Sequence, residues 1–111
     1  MILKSIIRWW ESLRKTRSLE RVFLIESMTE LPAILGSNLY VVRRAGYDRH
    51  AVFNCPCRCG RRIDLNLVKS NSPYWSLIVT NGNATIHPSV WLEGEPCQSH
   101  FFIRYSKIIW V

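Results

Sequence analysis

The sequence predicts a mostly β protein: a small antiparallel β domain preceded by a short amphipathic helix. Three observations predict it. Helical spacing of apolar residues is confined to the N-terminal stretch, and strict alternation marks "RRIDLNLV". "NGN" also sits between two strand-like runs, "YWSLIVT" and "ATIHPSVW". At 111 residues the chain is one domain by size, and 48% hydrophobic content with five tryptophans excludes a wholly disordered chain.

In "MILKSIIRWWESLRK", Leu3, Ile6, Ile7, Trp10 and Leu13 recur at helical spacing while Lys4, Arg8, Glu11 and Lys15 fall on the opposite face. Residues 1–20 therefore read as an amphipathic basic helix and linker, and residues 21–111 as a zinc-binding β domain. The apolar stripe is expected to pack on the domain or on a second copy, a route to self-association. Trp9 and Trp10 with their flanking cations also suit a membrane surface. Arg8 and Glu11 interrupt any run long enough for a membrane span or a signal-peptide core, and no small-residue cleavage site follows. The expectation is a cytoplasmic chain with no transmembrane segment.

"KTRSLE" reads as a polar link, "RVFLIES" as a first strand and "LPAILGS" as a turn punctuated by Pro32 and Gly36. "NLYVVRR" is strand-like, "AGYDR" a hairpin loop and "HAVFN" the returning strand. After a cysteine loop, Ile63, Leu65 and Leu67 alternate with polar residues, the pattern of a half-buried strand. "NSP" breaks that strand and "YWSLIVT" begins the next. The Asn-Gly of "NGN" suits the two positive-φ positions of a tight hairpin turn before "ATIHPSVW". "LEGEP" is a loop, and "HFFIRYSKIIWV" a closing hairpin.

Fifteen Lys/Arg against eight Asp/Glu give a net charge of +7, which favours an acidic partner. The cations are scattered and no nucleic-acid-binding motif accompanies them, so nucleic acid is not the expected partner.

Three of the four cysteines, Cys55, Cys57 and Cys59, stand at alternate positions in "CPCRCG"; the fourth, Cys97, opens "CQSH". In a cytoplasmic chain clustered thiols stay reduced and more often bind metal than form disulfides. Zinc takes four ligands in a tetrahedron, commonly from one tight turn and a second, distant segment. Cys97 and His100 have the spacing of a ligand pair, so five candidates compete for four places. If all four cysteines bind, His100 is free for other work; if His100 binds, one thiol is spare. His50 and His87 read as surface or supporting residues. For catalysis, Ser89, Ser99 and His100 are the polar groups near the metal segments that can supply a nucleophile and a base. In the plainer reading, Ser89 caps a turn and Ser99 hydrogen-bonds a metal-bound sulfur.

Taken together, "LYVV", "AVFNCPCRCGRRIDLNL", "PYWSL", "ATIHPSVW" and "CQSHFFIRYSKIIW" resemble a family of small bacterial Cys-rich proteins. That family carries Cys-Pro-Cys-Gly-Cys-Gly, then Pro-Ser, then Cys-x-Ser-His-Phe, and ends in a tryptophan-bearing strand. The resemblance covers about residues 22 to 110. Arg58 departs from it, standing where the family has glycine.

Such proteins are encoded with bacterial ubiquitin-like proteins and their activating and conjugating enzymes, which the resemblance makes the expected partners, in antiphage defence. It implies a zinc-containing peptidase that matures the modifier or removes it from targets. It maps the metal-binding thiols to Cys55, Cys57, Cys59 and Cys97, the Pro-Ser serine to Ser89, and the Ser-His pair to Ser99 and His100. The expected function is a zinc-stabilised, deubiquitinase-like serine peptidase with Ser89 as nucleophile and His100 as base. The alternatives are a non-catalytic zinc adaptor of the same pathway and a basic nucleic-acid-binding zinc protein.

Overall fold

Alternation in the sequence becomes two stacked layers in the structure, a computed structural model that describes residues 16–111. Strands β1 (Val22–Ile25), β2 (Leu39–Arg44), β3 (Tyr47–Asn54) and β4 (Arg62–Asn66) form one sheet in that order. Strands β5 (Ser76–Thr80), β6 (Asn83–Trp91), β7 (His100–Arg104) and β8 (Lys107–Trp110) form the other. The helix expected at the N-terminus falls on residues outside the described ones.

All neighbouring strands are antiparallel except β1 and β2, which run parallel with Val22 opposite Leu39. A parallel pair needs a long return connection, and residues 26–38 supply it. A capping box turns the chain just after β1. The Ser27 hydroxyl accepts from the Thr29 amide, and the Glu30 carboxylate accepts from the Ser27 amide at 2.8 Å.

Three hairpins close on two-residue turns with both φ angles positive: Ala45 and Gly46 at 53° and 80°, Asn81 and Gly82 at 52° and 78°, Tyr105 and Ser106 at 49° and 61°. This turn's twist matches that of the strands it joins. The loop expected at "AGYDR" is therefore shorter than its sequence suggests, because β3 resumes at Tyr47. The Tyr105–Ser106 turn has no glycine and is held by its neighbours instead. The Ser106 hydroxyl accepts from the Ala84 amide at 2.9 Å, and the Ser106 amide donates to the Ala84 carbonyl at 2.7 Å.

Ile63, Leu65 and Leu67 are buried as their alternation predicts, with exposed Asp64 and half-buried Asn66 between them. They share one core with Leu39, Val41, Ala51 and Phe53 of the first sheet and Ile86, Val90, Phe101 and Ile103 of the second. Phe53 meets Phe101 edge-on at 6.2 Å between ring centroids, joining the layers. Residues 16–19, expected as a polar link, are stitched to the same body. Leu19 is buried in the core, its amide donates to Ser106, and the Thr16 amide donates to the carbonyl of Pro56 in the cysteine loop.

Candidate active site and thiol cluster

Successive side chains of a strand point to opposite faces, and this sorts the polar residues of β6 and β7. Val90 pairs with Phe101, and both are buried in the core. Ser89, Trp91, His100 and Phe102 are their neighbours and fall on the outer face of the second sheet. Ser99, next to His100, falls on the inner side and is only 5% exposed. Adjacent in sequence, Ser99 and His100 are thus separated by the sheet.

On the outer face, His100 Nε2 lies 3.0 Å from Ser89 Oγ. Both residues are half-buried. Trp91 stands opposite His100 in register, and its indole stacks on the imidazole at 5.0 Å between centroids and 14° between planes. The Trp75 indole N–H donates to the Ser89 carbonyl at 3.2 Å, tying the serine's backbone in place. The β6–β7 register shifts between Ile86 and Val90. A bulge re-aims the side chains around it, and Ser89 sits at the end of this one.

On the inner side the two cysteine segments converge. The Sγ atoms of Cys55, Cys57, Cys59 and Cys97 all lie within 4.8 Å of one another, and no two are joined in a disulfide. Four thiolates around one ion at about 2.3 Å would be roughly 3.8 Å apart, so the group fits a metal ion with little adjustment. His100 is not among these candidate ligands. The loop is built tightly: the Arg58 amide donates to the Cys55 carbonyl at 3.0 Å, and the Cys55 amide to the Arg61 carbonyl at 2.8 Å. Gly60 is left-handed at φ 89°, and Arg58 takes the same region at φ 65° without glycine's freedom. An ion pair between Arg61 and Glu95 links the two cysteine-bearing loops.

Ser99 bridges the cluster. Its hydroxyl accepts from the Cys55 thiol and donates to Cys97 Sγ, each at 3.5 Å. Burial pushes the Cys55 thiol up to about 12 and raises Cys59 as well, while hydrogen bonds from the Ser99 side chain and backbone pull Cys97 down to about 7. Burial therefore opposes a set of four thiolates, and a bound cation is what would offset it.

Of the remaining histidines, His50 Nδ1 pairs with Asp64 at 2.9 Å and His87 is exposed; neither approaches the thiols closely enough to join the ligand group. Sequence reasoning missed Trp75 and Trp91. Trp91 was within reach of it, since it lies two residues beyond Ser89 on one strand and so shares its face. Trp75 carried no local signal, because its bond to Ser89 depends on β5–β6 pairing.

These features define a small β protein with a hydrogen-bonded serine–histidine pair on one side of a sheet and a thiol group that could hold a metal ion on the other. The family of bacterial ubiquitination-like system serine proteases (BubE) matches residues 27–111, and the chain belongs to that family. The match takes in Ser89, His100 and all four cysteines. No curated protein and no solved structure matches the chain. Among the described residues no helix is long and apolar enough to cross a membrane.

Proposed function

We propose that this chain is a serine-type peptidase that cleaves after the C-terminus of a ubiquitin-like modifier, either maturing a precursor or releasing the modifier from a conjugate. The observation that carries the reading is the 3.0 Å contact between Ser89 Oγ and His100 Nε2, together with membership of a serine protease family. For Nε2 to accept the serine proton, the neutral imidazole carries its own proton on Nδ1. Ser89 Oγ attacks the scissile carbonyl as His100 takes its proton. His100 then gives that proton to the leaving amine, and water hydrolyses the acyl-serine with His100 again as base. Among the described residues no carboxylate contacts the imidazole. Trp91 takes over the orienting task, since its ring lies flat against His100 and opposes rotation of the imidazole out of the stacking plane.

The metal in this reading is zinc, held by Cys55, Cys57, Cys59 and Cys97. Four protein ligands leave no position open for water or substrate, so the ion is structural: it supplies folding energy and fixes the loops beneath β7. Ser99 belongs to that side of the molecule, as the hydrogen-bond partner of two sulfurs.

The test is cleavage of a purified modifier precursor bearing a C-terminal extension. Wild type should release the extension, while Ser89→Ala and His100→Ala should each release none and keep their zinc. A wild-type protein that binds the precursor without cleaving it would make this chain an adaptor.

A further inference from the structure

The register of β6, β7 and β8 lays the outer face out in rows around the serine. Trp91 pairs with His100, whose carbonyl accepts from the Val111 amide, so these three form one row. Phe102 pairs with Ile109 in the next, and Arg104 pairs with Lys107 in the third. Ile109 is 40% exposed and Val111 73%, leaving apolar surface open beside the nucleophile. Beyond it the Arg104 guanidinium lies over the Phe102 ring at 4.8 Å. Among the described residues neither Arg104 nor Lys107 has an ion-pair partner. The face is therefore apolar next to Ser89 and cationic one row further on, with no carboxylate of the described residues paired to either cation.

We propose that this face is the substrate subsite. It takes an extended peptide segment that places an apolar side chain on Phe102 and Ile109 and a carboxylate side chain against Arg104 and Lys107. Same-face rows along a strand are about 7 Å apart, the spacing of every second residue in an extended chain. A peptide running along β7 thus brings its acidic residue two positions from its apolar one. Charge selects the occupant: two cations with no ion-pair partner among the described residues, at the rim of an apolar patch, favour an acidic-apolar segment over a basic one. The inference rests on Ser89 being the nucleophile, because only then does the face border the scissile bond.

Four internally quenched peptides test it, with leucine or serine at the first position and aspartate or lysine two residues away. Wild type should cleave leucine over serine peptides about tenfold faster in kcat/KM and aspartate over lysine about fivefold. Arg104→Glu combined with Lys107→Glu should invert the charge preference, and Ile109→Ser, an exposed change, should erase most of the leucine preference through KM. Flat preferences, or preferences that the charge reversal leaves alone, overturn the proposal. If no peptide is cleaved, the hydrolase reading fails by itself. Fluorescence anisotropy of the same peptides on Ser89→Ala then decides the subsite, with the same order of affinities expected and equal affinities overturning it. A face that instead joins two copies, seen as a dimer dissociated by Ile109→Ser with no peptide discrimination, also overturns it.

Discussion

Replacing Ser99, a residue 5% exposed, by alanine removes a hydroxyl that stands 3.5 Å from both Cys55 Sγ and Cys97 Sγ. One of its bonds is donated to a sulfur held toward the thiolate state, and a hydrogen bond to a charged group contributes about 1.5–3 kcal/mol. Losing a hydroxyl that supports metal ligands typically costs about 10–100-fold in metal affinity, which converts to roughly 1.4–2.8 kcal/mol and agrees with the first figure. The outer face does not share this loss, because the sheet lies between Ser99 and the Ser89–His100 pair. Zinc affinity of Ser99→Ala, measured by competition with a chromophoric chelator, should therefore fall by one to two orders of magnitude, as the estimate above gives. Cleavage of the modifier precursor in saturating zinc should stay within about threefold of wild type, while Ser89→Ala loses about a thousandfold or more. A Ser99→Ala protein that keeps its zinc and loses cleavage as completely as Ser89→Ala would refute this division of labour.

Metal removal should be both destabilising and acid-sensitive. Cys97 is ionised above about 7 and protonated below it, and ligation requires the thiolate. Zinc affinity should therefore fall about tenfold per pH unit for each thiol that must lose its proton, and most steeply below pH 7. An affinity independent of pH contradicts a thiolate site, and a chelated protein with unchanged circular dichroism contradicts a structural one. Arg58→Gly should stabilise the zinc-loaded protein by about 0.5–1 kcal/mol: relief of a left-handed conformation, worth about 1–2 kcal/mol, is partly offset by the greater freedom of glycine in the unfolded chain. Denaturant midpoints read this directly, and a lower midpoint counts against it. Trp91→Ala should lower kcat about tenfold through a misaligned base, with Trp91→Phe restoring most of it; equal losses in both would mean that stacking is not what positions His100.

Most of the β architecture was legible because local chemistry decided it. Ile63, Leu65 and Leu67 alternate onto the core, and Asn81–Gly82 closes a hairpin as that dipeptide's tolerance of positive φ allows. The parallel pairing of β1 with β2 was not legible, since it is set by partners and a connection far outside any local window. The cysteine group was visible from the alternate thiols and a distant fourth. The resemblance favoured the four thiols, but spacing alone left open which residues would bind a metal, because Cys97 and His100 have the spacing of a ligand pair. What separates them is that β7 begins at His100 and turns its ring outward, leaving Cys97 with the other thiols. The same pleat separates Ser99 from Ser89, which spacing alone had left as equal candidates.

The central claim is that Ser89, activated by His100, is the nucleophile. A fluorophosphonate probe, which forms a covalent adduct only with an activated serine, followed by peptide mapping in a mass spectrometer, tests it most directly. The account predicts one adduct, on Ser89, in the zinc-loaded wild type, and none in zinc-loaded His100→Ala. An adduct on Ser99, or labelling of Ser89 that survives loss of His100, would contradict it.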